Sequence, residues 1–476
     1  MLSPCTQRLY NGVRVLDHPC IPNVQRLDSG AIPMIWEYHK HGIHLDRAHF
    51  AALSLTLQGK QEELAREIKE LAGQPLNHNS GDQVAHLLFN VLGLKVRRTD
   101  GPKMTKSMKR EVADDEVLIG LADQHPIVRK ILLARQADKL KGTYVDKLPQ
   151  MVRDDFRLHT TFRHTVAATG RLTSEDPNLQ NIPTRTKDGQ EIRKGFHATK
   201  DPAGRQCLLA SLDYSQIEMV MAGHMSGDRV LLDAFANNTD IHTLTAIAAF
   251  KLTNGPRLLH LCSKSMAEEM GEEAGWLPGE KEEWKVFKST KRLPAKTVGF
   301  GILFGQSAQG AQGNIVAQGG PYLEIEEVDD IIHGWFGLYS GVTLWMETQY
   351  FRCQKYGMVW DMFGRARQIA EGFSTVRRIK SEGFRQAGNM PIQGGAQGII
   401  KLAMAALMPI VRHYQKYKDT RCWPLLQIHD ELIFELSPHI AEEFCLIAQD
   451  VMQSIIQLRA PVKVSWSLAE RWGDLK

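Results

Sequence analysis

Leu208-Leu-Ala-Ser-Leu-Asp213-Tyr214-Ser215-Gln216-Ile-Glu218 and Leu425-Leu-Gln-Ile-His429-Asp430-Glu431-Leu-Ile-Phe434 decide how this chain folds. In each, an aspartate follows a short apolar run of strand-like composition, and Asp430 falls where two such runs would turn as a hairpin. Two acids brought together at strand ends repel and raise one another's pKa unless a positive charge sits between them. Oxygen-only ligands suit Mg²⁺, which completes its octahedron with water and substrate phosphate. The pair therefore predicts a metal clamp for phosphoryl chemistry. Either aspartate by itself reads as an ordinary solvated turn residue; what lies between them makes the case.

Arg292, Lys296, Phe300 and Phe304 recur every fourth residue, which on a helix is one slowly drifting stripe. Its two cations would hold a triphosphate beside the positive end of the helix dipole, and Phe300 would pack on the nucleotide's sugar or base. The competing reading makes both phenylalanines core and both cations surface. Pro294 fits only in a first turn, which places Arg292 at the helix mouth. Three further groups point the same way. Arg171 lies in the polar segment Thr169 to Pro183, within reach of a minor groove. Arg385, Asn389 and Gln393 form a polar helical face suited to groove or sugar contacts. In Asp240-Ile-His242, the histidine is placed to donate to a phosphate, although a lone histidine is more often structural.

The chain has 476 residues and a net charge of +4, ample for several subdomains but not the signature of a nucleic-acid binder. The charge is locally uneven. Lys95 to Arg110 holds seven basic residues against the single acid Asp100, a stretch suited to a phosphate backbone or simply to solvent. Seven cysteines without a Cys-x-x-Cys pair argue for a reducing compartment and against a disulfide framework or zinc site. No apolar run reaches transmembrane length and no signal pattern opens the chain, so the expected setting is cytoplasmic, with no membrane partner.

Residues 1–32 read as irregular, with Pro4, Pro19, Pro22 and Pro33 punctuating them, and helix begins at Ile35. Helical patterns recur up to Lys141, strands and turns fill 160–216, and helices dominate 218–250, 295–356 and 377–417. The hydrophilic stretch 253–291 reads as an insertion or mobile segment. The fold class is α+β, with strands carrying the acids and helices around them.

These residues together resemble the polymerase portion of family A DNA polymerases, the bacterial DNA polymerase I (Klenow-type) group, with a phage or plasmid member as one possibility for the source. The matching stretches are Lys139 to Pro149, Thr169 to Pro183, Asp213 to Glu218, Lys296 to Gly305, Pro391 to Met404 and His429 to Glu431. The resemblance implies a right hand without an exonuclease domain. Its thumb would be 33–145, its palm 146–240 and 385–476, and its fingers 241–384. It implies two Mg²⁺ ions, with Mn²⁺ able to substitute, on Asp213, Asp430 and the Tyr214 carbonyl, supported by Glu431. Lys296 would act in catalysis as well as in binding. The dNTP would meet Tyr214, Ser215, Gln216, Glu218, His242, Arg292, Lys296, Phe300 and Phe304, with Glu218 as the steric gate against a ribose 2′-hydroxyl. Arg171, Arg385, Asn389, Gln393 and His429 would grip primer-template DNA.

Departures accompany the match. Phe304 stands where most relatives have Tyr, and Gly299 replaces the usual Asn, loosening a helix that must swing closed. The stretch from His242 to Lys296 is longer than in the bacterial enzymes, and Ala366 takes the place of the second Arg in Gly364-Arg365-Ala366-Arg367. The expected activity is DNA-templated addition of dNTPs to a primer 3′-hydroxyl by two-metal transfer, by a monomer working with replication accessory proteins. Residues 1–32 leave no space for a proofreading domain, so no 3′ editing is expected. The rival readings are a single-subunit RNA polymerase and an inactive DNA-binding scaffold.

Overall fold

The computed structural model describes residues 24–95, 113–184, 186–303 and 305–475, with the backbone alone at 7–10, 13–16 and 116. Phe304 and the basic stretch beyond Lys95 lie outside these residues. At the centre is a four-stranded sheet in the order Cys422–Ile428, Glu431–Leu436, Leu208–Tyr214, Val464–Ala469, antiparallel throughout. His429 and Asp430 alone connect the first two strands, and His429 takes a left-handed φ of 53°. The register sets Glu431 directly opposite Asp213, with Ser465 on its other flank.

Side chains alternate across a strand, so Ser211 and Asp213 share one face while Ala210, Leu212 and Tyr214 point into the core. The helix Pro438–Ser454 closes that core face: Phe444 meets Phe434 with ring centroids 5.0 Å apart, and the Tyr214 hydroxyl donates to the Met452 carbonyl at 3.0 Å. The helix Arg377–Tyr414 packs beside it. By length and composition this helix would suffice to cross a membrane, but its apolar window is 89% buried in the fold. A core helix has the same composition.

Two expectations about irregular segments are corrected. Within 1–32, Gln7–Tyr10 and Val13–Leu16 pair antiparallel, and a helix spans Val24–His41 with Pro33 inside it. An interior proline costs a helix about 3 kcal/mol. This one persists because Leu27, Ala31, Met34 and Tyr38 are buried in the core shared with Arg377–Tyr414. Within 253–291 the chain forms the helices Gly255–Glu269 and Glu280–Phe287. Leu258, Leu261, Cys262, Trp284 and Phe287 close on Ala246 and Ala295 as a small core. The hydrophilic residues that suggested mobility pair across the two helices instead, Lys264 with Glu280 at 2.6 Å, Arg257 with Glu283 at 2.6 Å, and Lys281 with Glu268.

The helix carrying the cationic stripe differs from expectation as well. Glu280–Phe287 runs through a π-helical turn, Lys288–Arg292, directly into Leu293–Leu303. A π turn widens the helix by one residue, which accommodates the ring and missing N–H of Pro294. Arg292 therefore sits inside a continuous helical run, and the free helix N-terminus expected beside it does not exist.

Candidate active site

Three acids meet at the end of the central sheet. Asp213 is open to solvent at the floor of a cleft, with Asp430 and Glu431 half-buried beside it. The Tyr214 N–H donates to the Asp430 carbonyl at 3.2 Å, fixing the turn against the neighbouring strand. Enclosure in the cleft, Glu431 opposite and Asp430 alongside push Asp213 up to about 7. Burial also raises Asp430, against the pull of Arg171, and Glu431, against the Ser211 hydroxyl and Arg193. Crowded carboxylates with raised proton affinity, reached by solvent on one side, are a donor set that fits a hard divalent cation. Among the described residues no group of three or more His, Cys, Asp or Glu side chains is placed to hold a metal ion by itself. An open set of this kind suits Mg²⁺, which leaves positions to water and phosphate. Because the Tyr214 ring is buried, only its backbone is available for the expected role at the metal.

The expected gate residue and an expected DNA contact turn out to be partners. Glu218, 9% exposed in the first turn of Ile217–Ser226, accepts a hydrogen bond from Arg171. Burial, opposed by Arg171 and reinforced by Asp430, pushes Glu218 up to about 7. The Arg171 loop is set from behind by Arg365: Gly170 has φ +73°, and a Cβ there would lie 2.6 Å from the Arg365 guanidinium. Arg365 in turn donates to Asp28 at 2.7 Å, an acceptor shared with the fully buried Lys401, also at 2.7 Å.

Arg292, Lys296 and Phe300 are half-exposed while Pro294, Ala295 and Thr297 to Gly299 are buried, so the stripe is one face of its helix. Phe300 lies against His242, ring centroids 5.2 Å apart. His242 is only 5% exposed, and burial, opposed by Asp240, pulls it down to about 3. It is a neutral imidazole that offers a hydrogen bond, not a charge. Gly299 does not leave a gap: a Cβ there would be 3.2 Å from the buried indole of Trp335, which occupies the space a larger residue would need. Ser215 and Gln216 share a cavity of about 220 Å³ with Asp240 and Lys463.

On Arg377–Tyr414, Arg385, Asn389 and Gln393 are all half-exposed, the last two between buried neighbours, as their spacing predicts. Arg385 pairs with Glu382, and the Asn389 side-chain oxygen is buried without a partner. His429 is exposed at its turn, beside a cleft of about 930 Å³ also lined by Lys139, Lys147, Asn178, Gln180 and Arg193.

Several residues of the site were not found by sequence reasoning. Gln180 donates to the Gln427 carbonyl at 3.1 Å and Gln427 donates to the His429 carbonyl, locking the Asp430 turn. Arg193 brings a buried cation to Glu431, its guanidinium 4.2 Å from the Trp472 ring centre. Nothing in the local sequence marks these contacts, which join distant segments. Asp240 did leave a signal, an aspartate directly before an apolar helical run. It caps Ile241–Ala249 by accepting from the Thr243 N–H at 2.8 Å.

A sequence profile described as DNA polymerase family A matches residues 47–256 and 280–474. The chain belongs to DNA polymerase family A. It is 37% identical over 436 residues to the thermostable DNA polymerase I of Thermus thermophilus, a match covering 91% of this chain and 46% of that protein. It is 34% identical over 453 residues to DNA polymerase I of Bacillus subtilis (strain 168), covering 95% and 46%. The chain thus spans about half the length of these relatives. Among solved structures, the POL domain of Pol1 from M. smegmatis, in complex with DNA primer-template and dNTP, superposes with a TM-score of 0.76 at 29% identity, covering 94% of this chain and 70% of that one. The α+β architecture is that of the family A right hand. The break in the family match, 257–279, falls on the added helix Gly255–Glu269 and the loop after it.

Proposed function

We propose that the chain is a DNA-templated DNA polymerase that adds dNTPs to a primer 3′-hydroxyl. The observations that support this are the three acids gathered at the sheet end, the buried Glu218–Arg171 pair within electrostatic reach of Asp430, and the half-exposed Arg292–Lys296–Phe300 face packed on His242. Asp213 and Asp430 would hold two Mg²⁺ ions, whose charge would activate the hydroxyl and stabilise the leaving pyrophosphate. Arg292 and Lys296 bind the triphosphate, and Phe300 stacks on the nucleotide. Arg385, Asn389 and Gln393 contact the duplex near the new base pair, and the cleft past Lys139, Lys147 and His429 takes the product duplex. In this reading the thumb, palm and fingers keep the bounds given above, with the helical insertion on the fingers. Primer extension with dNTPs against NTPs tests the assignment; a preference for NTPs makes the chain an RNA polymerase, and no extension with either makes it a scaffold.

Glu218 carries the sugar preference. Its carboxylate, held by Arg171, fills the space a 2′-hydroxyl would need, so Glu218→Ala is expected to raise ribonucleotide incorporation by about 10² or more. Competition between ATP and dATP measures it, and unchanged sugar selectivity refutes the gate. We also infer that these 476 residues by themselves do not edit; the family match accounts for most of 47–474 as polymerase. A labelled, mismatched primer incubated with Mg²⁺ and no dNTP should stay full length, and shortening would show an editing activity.

A further inference from the structure

The triphosphate pocket contains an acid that its task does not obviously call for. The Asp240 carboxylate accepts from Arg292 Nε and Nη2, each at 2.8 Å, while one of its oxygens also caps the helix bearing His242. Both side chains are largely enclosed, at 8% and 18% exposure. Burial by itself would raise Asp240; the Arg292 guanidinium overrides this and holds it down to about 2, so the pair is fully ionised. Among the described residues Arg292 Nη1 makes no hydrogen bond, which leaves that nitrogen as the donor for a ligand.

The added helix Gly255–Glu269 strengthens the arrangement. Cys262 lies close enough to Asp240 and Arg292 to feel both charges, and it belongs with Leu258 and Leu261 to the small core against Ala246 and Ala295. All three residues fall in the 257–279 break of the family match. This wall excludes water from one side of the pair, and a bidentate ion pair is stronger and more rigid in such surroundings.

We propose that Asp240 is a positioning residue for nucleotide binding, orienting Arg292 by its bidentate contact and His242 by its helix cap. The proposal rests on the reading of Arg292 as a triphosphate ligand. It does not make Asp240 a competitor of the triphosphate, because the contact uses the Nε edge and spares Nη1.

Single-nucleotide incorporation by the full chain tests it. Asn caps helices as well as Asp, so Asp240→Asn keeps the fold and the cap but loses the charge that fixes Arg292. KM for the dNTP should rise about tenfold, the loss of roughly one charge-assisted contact, with kcat within about twofold. Arg292→Ala should raise KM as well, and the double variant should be no worse than Arg292→Ala alone, since Asp240→Asn acts through that arginine. Raised KM in Arg292→Ala with a wild-type or lowered KM in Asp240→Asn overturns the positioning role and leaves the triphosphate reading intact. Unchanged KM in Arg292→Ala overturns the triphosphate reading itself, and the proposal with it. Thermal melts matching the parent show that the shift in KM is not a folding defect.

Discussion

Asp213→Asn and Asp430→Asn are each expected to reduce primer extension by about 10³-fold or more, since a metal-bound carboxylate is worth several kcal/mol at a phosphoryl transition state. Duplex affinity should stay within about threefold, because the proposed duplex contacts lie on other residues. Stability gives an independent readout. Asp213 faces Glu431 across the sheet, and like charges directly opposite one another are destabilising. Asn has the same shape without the charge, so Asp213→Asn should be as stable as the parent, or more so, in metal-free buffer. The sign follows from linkage. Asp213 is raised to about 7 in the fold, so the folded state binds its proton more tightly. At this group stability therefore falls as pH rises from the ordinary carboxylate value through about 7. The variant removes that slope. Near-normal extension by either variant would overturn the assignment of the metal site.

Glu435→Ala is expected to cost about 3–5 kcal/mol of stability, the usual effect of removing one partner from a buried ion pair. Glu435 has no solvent exposure and accepts from Arg157 at 2.5 Å, from Arg421 at 2.6 Å, and from the Thr199 backbone and hydroxyl at 2.9 and 2.8 Å. Arg157 also donates to the His41 carbonyl at 2.7 Å, and Trp423 stacks on the His41 ring at 4.3 Å. One carboxylate thus ties the central sheet to the Val24–His41 helix and to the segments around Arg157 and Thr199. Alanine there strands two guanidinium groups. Burial by itself would raise Glu435, but Arg157 and Arg421 hold it below its usual value. Its contribution is present above the ordinary carboxylate pKa and lost as pH falls through the lower folded value. Urea unfolding at neutral and acidic pH measures both effects: the variant should lose midpoint at neutral pH and show a flatter acid limb. A change below about 1 kcal/mol would show the hub to be dispensable.

The two predictions differ in how legible their residues were. Asp213 and Asp430 stand out because each ends an apolar run, and a strand's side-chain alternation is written in adjacent residues. The stripe of Arg292, Lys296 and Phe300 is likewise a short-range pattern, and its half-exposed face appears as its spacing predicts. The start of its helix was misread, since Pro294 signals a first turn only when no π turn absorbs it. Pro33 misled in the same way: packing against Arg377–Tyr414 outweighs a local cost. The polar residues of 253–291 suggested a loose segment because their partners, such as Glu280 for Lys264, sit across an interhelical gap.

The sequence by itself determined the α+β class, the family, the pair of acids and the face of the cationic stripe. All of these are carried by residues a few positions apart, or by motifs in a fixed order. The tertiary structure alone decided that Glu431 faces Asp213, that Arg171 pairs with Glu218, that Asp240 holds Arg292, and that Glu435 joins Arg157 to Arg421. These are charge contacts between segments distant in the chain. Their partners are chosen by register and burial, and a charged residue in a sequence carries no mark of which opposite charge the fold will bring to it.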